Sequence, residues 1–146
     1  MLINKDFREF IECLNKHDAK YLIVGGYAVA FHGHPRYTKD LDVWIWAEAD
    51  NSKRIIAALH DFGFGSLNLT EKDFQQPEMV VQLGNPPVRI DILTSVSGVA
   101  FPECFQSRVT VEIDGLQVNF IDLPSLRTNK KASGRHQDLA DLENLK

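Results

Sequence analysis

Residues 21–42 read YLIVGGYAVAFHGHPRYTKDLD. Tyr21, Leu22, Ile23 and Val24 make a compact β-type run that stops at the pair Gly25-Gly26. The pattern of 27–31 then predicts a short helix opening directly after the glycines, and a second β-rich run follows over 41–46. The order is strand, glycine turn, helix, strand. Asp40 and Asp42 stand two apart where the second strand begins, and the two-residue period of a strand puts both carboxylates on one face.

The flanking sequence is read outward from this stretch. Upstream, Phe7, Phe10, Ile11 and Leu14 recur at helical spacing, which predicts an amphipathic helix over 6–16. Downstream, 51–61 reads as a helix that Asn51 or Ser52 can cap. Residues 62–78 are polar, glycine-bearing and aperiodic, the pattern of a mobile loop beside the site. Two β-type runs, 79–83 and 88–93, flank Gly84-Asn85-Pro86-Pro87, which is turn chemistry and predicts a hairpin. A second hairpin follows, because 109–113 and 116–120 flank Asp114-Gly115, the strongest short hairpin signal. Pro124 opens a helix that runs to about Ser133, Gly134 breaks it, and a last helix covers 137–145. This order of elements predicts an α+β (mixed α/β) fold, a central mixed sheet flanked by helices with two C-terminal helices.

The chain has 146 residues, 44% of them apolar and 25% charged, with a net charge of −4. At about 100–200 residues per domain this is one domain over 1–146. Its N-terminal helix lies in 1–20, its sheet core in 21–120 and its C-terminal helices in 121–146. The composition excludes whole-chain disorder, collagen-like repeats and coiled coil. No apolar run approaches the roughly 20 residues that span a bilayer, and the first ten residues lack the pattern of a signal or transit peptide. The expected location is cytoplasmic. Cys13 and Cys104 show no metal-binding or disulfide spacing, so both read as structural thiols. The acidic balance argues against a protein that coats nucleic acid, yet 16 Lys and Arg leave room for a local RNA-binding patch.

Two carboxylates held together repel unless a proton or cation sits between them, and hard oxygen ligands suit Mg²⁺ or Mn²⁺. Asp91, in Arg89-Ile90-Asp91-Ile92-Leu93, likewise places a charge inside an apolar β run. If the two strands are neighbours, three carboxylates meet, a set able to hold two divalent ions about 3.5–4 Å apart for a phosphoryl-type displacement. For an isolated Asp-x-Asp pair, a solvated strand end is the competing reading. Glycines between strand and helix let the backbone approach a phosphate closely. His32 and His34 lack a third ligand nearby and read as loop residues. Trp44 and Trp46 share the face of Asp40 and Asp42, and either packs in the core or stacks on a nucleobase.

The string Ile23-Val24-Gly25-Gly26 followed by Asp40-Leu41-Asp42-Val43 resembles the signature of the polymerase-β-type nucleotidyltransferase superfamily. The fuller string GGYAVAFHGHPRYTKDLDVWI and the tail LPSLRTNKKASGRHQDLADLENL resemble its minimal single-domain members, including the AbiEii-type toxin group. The resemblance implies that Gly25 and Gly26 hold the nucleotide phosphates, that Asp40 and Asp42 bind catalytic Mg²⁺ or Mn²⁺, and that Asp91 is the third carboxylate. It implies that Arg36 offsets triphosphate charge and that Lys130, or its neighbour Lys131, reaches the β/γ-phosphates. Arg135 and Asp138 read as a structural pair pinning the last two helices. The implied activity moves a nucleoside monophosphate from an NTP such as ATP to an acceptor hydroxyl, releasing pyrophosphate. Members that this chain resembles act on tRNA or other RNA ends, proteins or small antibiotics, so the acceptor stays open, with tRNA or another RNA, an antitoxin protein and a homodimer as possible partners. The competing readings are a non-catalytic nucleotide- or partner-binding module that keeps the fold, and a phosphotransferase releasing a diphosphate.

Overall fold

Six strands pair into one mixed sheet in a computed structural model that describes residues 3–33, 38–65, 68–85 and 88–145. They are β1 (Tyr21–Val24), β2 (Asp40–Ile45), β3 (Val80–Asn85), β4 (Val88–Leu93), β5 (Val109–Ile113) and β6 (Leu116–Phe120), in the spatial order β3-β4-β2-β1-β6-β5. The two local hairpins are antiparallel and form the outer pairs. Each joins the central antiparallel pair β1–β2 through a parallel contact, β4 on β2 and β6 on β1.

Strand alternation then divides the molecule. Along β2, Leu41, Val43 and Ile45 are buried on one face, while Asp40, Asp42 and Trp44 share the other. The apolar stripe of α1 (Lys5–Lys16) packs on α3 (Ala49–Phe62), bringing Phe7, Phe10, Ile11 and Leu14 into one core with Ile55, Ala58 and Leu59. On the other face Trp44 meets the edge of Phe101 and Trp46 stacks on the same ring at 6.4 Å. Both tryptophans are therefore packing residues. Phe101 begins α4 (Phe101–Gln106), a six-residue helix that the sequence pattern does not announce.

Turns follow local chemistry. Asp114 and Gly115 both have positive φ, 49° and 82°, as the tight β5–β6 turn requires. The expected 84–87 turn is shorter than its composition suggests, since β3 continues through Gly84 and Asn85 and pairs with Val88 and Arg89. Pro86 and Pro87 lie outside the described residues. Within the stretch expected to be a loop, Glu71–Phe74 forms a 3₁₀ turn capped by Thr70, and its Phe74 is fully buried. At the C-terminus α5 (Leu123–Ser133) ends at Gly134 and α6 (His136–Asn144) follows at once.

The helix α3 starts earlier than expected, and its cap is Glu48, whose carboxylate accepts from the Asn51 backbone N–H at 2.5 Å. Asn51, one of the two residues that the sequence offers as a cap, is 2% exposed and does something else. Its Oδ1 accepts from the Lys20 N–H at 2.7 Å, and its Nδ2 donates to the carbonyls of Lys20 and Trp46 at 3.0 and 2.9 Å. One amide thus ties the start of α3 to the outer ends of β1 and β2. Replacing it with alanine leaves buried backbone groups without partners, so Asn51→Ala is expected to cost about 2–3 kcal/mol in chemical denaturation, without loss of the native circular dichroism spectrum.

Candidate active site

The parallel pairing of β2 with β4 sets Asp40 opposite Arg89 and Asp42 opposite Asp91. On this face one lateral row runs Val24, Asp42, Asp91, Gln82 across β1, β2, β4 and β3, and the next runs Asp40, Arg89, Gly84. The three carboxylates singled out by sequence therefore lie on one patch of sheet. Among the described residues no group of three acidic, histidine or cysteine side chains stands ready as a closed metal cage. What occupies the space between them is a guanidinium. Arg89 donates to both oxygens of Asp91, from its Nε and an Nη at 2.9 Å each, and its Nε lies 3.9 Å from Asp40. This fork holds the Arg89 charge more firmly and raises its pKa, chiefly through the hydrogen bond to Asp91.

Asp42 has no such partner among the contacts above, and its electrostatics differ accordingly. Burial, reinforced by the charges of Asp91 and Asp40, pushes its carboxyl from 3.8 up to about 6, although Lys130 and Arg89 pull the other way. Three carboxylates gathered on one patch, one of them raised by burial and by the other two, repel one another unless a proton or cation sits between them. Hard oxygen donors favour Mg²⁺ or Mn²⁺ over softer metals.

Gly25 forms the wall beside this patch. It enters α2 (Gly25–Phe31) with φ +67°, and a Cβ there would collide with the Asp42 carboxylate. Only glycine permits the backbone to come this near the acid. Gly26 is buried in the first turn of α2, so of the glycine pair Gly25 faces the cleft. The far end of α2 is anchored by His32, whose Nε2 lies 2.7 Å from the Ile121 carbonyl oxygen, and by Phe31 stacked on Phe120. His32 is thus a structural residue; His34 and Arg36 lie outside the described residues.

A cavity of about 410 Å³ opens from Gly25 and Asp42 toward α5, bounded there by Ser97, Asn129, Lys130 and Arg135. Lys130 is 4% exposed and its Nζ donates to Asp138 and Asp141 on α6, at 3.1 Å each. Asp138 also accepts from Ser133 Oγ at 2.6 Å and from Arg135 Nε at 2.8 Å. Burial alone would raise the Asp138 carboxyl, but the donors Arg135, Ser133 and Lys130 outweigh it and hold it well below the usual carboxylate range. The pair Arg135–Asp138 read from sequence is therefore part of a larger clamp in which Lys130 carries the helix-to-helix contact. Lys131, the alternative to Lys130, is exposed. Two aspartates take two of the three N–H donors of Lys130, which lines the same cleft as Asp42.

Comparison with known proteins agrees with this architecture. Residues 4–146 match the profile of a family described as nucleotidyltransferases of unknown function, DUF6036, and the chain belongs to that family. No curated protein sequence matches it. Among solved structures it is similar to a proposed nucleotidyltransferase from Thermotoga maritima, with a TM-score of 0.64 and 13% identity, over 94% of this chain and 88% of that one. It is also similar to an antigenic nucleotidyltransferase-like protein from Paracoccidioides brasiliensis, with a TM-score of 0.55 and 18% identity, over 98% and 75%. At these identities the likeness is one of fold. No helix among the described residues is long and apolar enough to cross a membrane.

Two expected outcomes follow from the charges. A carboxyl whose folded pKa exceeds its unfolded one is penalised once ionised, so Asp42 lowers metal-free stability as pH rises from about 4 to about 6 and by a constant amount beyond. Asp42→Asn removes that penalty. In EDTA the variant should be more stable than the native chain above pH 6, with the gap closing below pH 4, as read by denaturant midpoints. Lys130→Met should do the opposite, because it removes the buried cation shared by Asp138 and Asp141 and leaves only their other hydrogen bonds, and at neutral pH should cost about 3 kcal/mol of unfolding free energy.

Proposed function

We propose that the protein is a metal-dependent nucleotidyltransferase that moves a nucleoside monophosphate from an NTP to an acceptor hydroxyl and releases pyrophosphate. The observation that carries this reading is the register of β2 on β4, which sets Asp42 beside Asp91 and Asp40 one step along the same face. Membership of a nucleotidyltransferase family supports the reaction class. Asp40, Asp42 and Asp91 would hold Mg²⁺ or Mn²⁺, whose presence neutralises triphosphate charge and makes the acceptor hydroxyl easier to deprotonate.

The chain's own groups then have separate tasks. Gly25 brings its backbone against the Asp42 carboxylate and leaves room there for the phosphates that its missing side chain would block. Gly26 shapes the turn behind it. Lys130 adds a positive charge at the opposite wall, and Arg36 is assigned the same task from its place in the sequence. The acceptor oxygen attacks the α-phosphorus, the bond to the bridging oxygen breaks, and the electron pair leaves with pyrophosphate. Asp91 takes the acceptor proton once its oxygens are released from Arg89. Most of the acceleration comes from fixed positions and fixed charges.

The acceptor is assigned from the resemblance of the glycine–aspartate string and the C-terminal tail to the AbiEii-type toxin group: a tRNA or other RNA end, with a neutralising antitoxin as protein partner. An intact glycine turn and carboxylate set speak against a binding module that has lost catalysis. The test is transfer from α-labelled and γ-labelled NTPs to a tRNA pool with Mg²⁺ or Mn²⁺. The expected result is α-label retained on RNA and γ-label released in pyrophosphate, with Asp42→Asn and Asp91→Asn at least 10³-fold slower, about 4 kcal/mol of transition-state stabilisation. Nucleotide binding that persists with no transfer to any acceptor would favour the non-catalytic module. Release of a nucleoside diphosphate would make the protein a phosphotransferase.

A further inference from the structure

The two edges of the sheet are finished differently. On the β5 side the strand carries an exposed Glu112 and follows an exposed Arg108. Arg8 also donates there, to the carbonyls of Ile113 and Asp114 at 3.0 and 2.7 Å. Charges of this kind keep an edge from pairing with another chain. The β3 edge has none of them. No residue of Val80–Asn85 is charged, and no strand among the described residues covers its outer side. Val80, at 52%, is the most exposed large apolar side chain among the described residues. The ladder sets which backbone groups this edge offers. The Thr94 N–H donates to the Met79 carbonyl at 3.1 Å, so Met79 turns its backbone toward β4. By the alternation of an antiparallel pair, Val80 and Gln82 turn theirs outward, with Gly84 next in step. These three positions share the face of Asp91, which stands opposite Gln82, and all three are exposed.

We infer that β3 pairs antiparallel with β3 of a second copy of this chain, around a two-fold axis at Gln82, so that one sheet runs through both copies. A two-fold contact must match a surface to itself, and this strand does so in that register. Gln82 meets its own counterpart, whose side-chain amide offers both a donor and an acceptor. Val80 falls opposite the partner's Gly84, so the exposed apolar side chain of each copy lies over a position with no side chain in the other. The outward set of Val80, Gln82 and Gly84 is thereby engaged completely, and no like charges are brought face to face across the strands. A hollow of about 480 Å³ lies at the start of this edge, lined by Pro77, Met79 and Val80 and by residues 95–97. It shares Val96 and Ser97 with the cleft of Gly25 and Asp42, so a second copy seated on β3 borders the approach to that cleft. The pairing does not depend on the proposed reaction.

Sedimentation velocity of the full chain over a dilution series tests the pairing. The native chain should sediment at twice the chain mass. Val80→Lys alters a side chain that is already exposed, so the fold persists while a solvated charge enters the contact, and the dimer should dissociate at least tenfold more readily. Leu139→Lys, at the other exposed apolar position, should leave the dimer unchanged. Register is read by cross-linking. Under mild oxidation Gln82→Cys should form a disulfide-linked dimer, because the Cα atoms of such a hydrogen-bonded pair stand about 5.5 Å apart. The native chain, with its own Cys13 and Cys104, and Thr110→Cys on the β5 edge should not. A monomer at every concentration, a dimer unchanged by Val80→Lys, or Gln82→Cys no better cross-linked than Thr110→Cys overturns the pairing. Loss of the dimer in Leu139→Lys would move the contact to α6 and overturn it as well.

Discussion

Asp42 and Asp91 stand side by side on adjacent parallel strands, and the rest of the site is organised by the repulsion between them. Backbone pairing fixes the strand spacing at about 4.8 Å, so the two acids cannot move apart without breaking the sheet. The chain meets this constraint with what it has. Arg89 takes Asp91 and leans toward Asp40, while Asp42 is left with a carboxyl near 6. A fold built for stability alone would place apolar residues at these positions. Holding the acids together has a use if something positively charged is to bind there, and the glycine that crowds the Asp42 carboxylate leaves the approach open.

The second element of the design is the clamp that supports the cleft from the other side. Lys130, Asp138 and Asp141 are all buried, and the helices α5 and α6 meet through them rather than through an apolar seam alone. A buried ion pair of this kind adds little net stability compared with an apolar replacement, but it demands one relative placement of the two helices. Here that placement keeps a cation at the cleft wall within electrostatic reach of Asp42. The nearby Arg135 is exposed and contributes to the clamp through its hydrogen bond to Asp138.

Much of the framework is legible from residue order because it is local. Tyr21–Val24 is closed by glycines and Asp114-Gly115 is flanked by β-type runs, so β1, β5 and β6 are found where the pattern puts them. The carboxylate set is also legible, since Asp40 and Asp42 stand two apart where a β-type run begins and Asp91 interrupts another. What sequence does not reveal is register. That β4 lies against β2, and that Arg89 faces Asp40, depends on long-range pairing that no local pattern encodes. The i, i+2 spacing of Arg89 and Asp91 was the available signal. The helix α4 escapes because six residues are too few for a helical period, with only Pro102 near its start as a hint. Asn51 escapes for a different reason: its residue type suits a cap, and only burial reveals the bridge to Lys20 and Trp46. The role of Lys130 in the clamp needed the packing of α6, since its partners lie eight and eleven residues ahead.

On the proposed function, metal and triphosphate meet at the Asp42–Asp91 patch beside Gly25. Paramagnetic broadening by Mn²⁺ together with a non-hydrolysable NTP, read across the amide spectrum, tests it directly. The account predicts that broadening concentrates on the amides of Val24, Gly25, Asp42, Asp91 and their immediate neighbours, and that it disappears in Asp40→Asn/Asp42→Asn. Broadening spread over the acidic surface, or centred elsewhere and unchanged in the double variant, would contradict it.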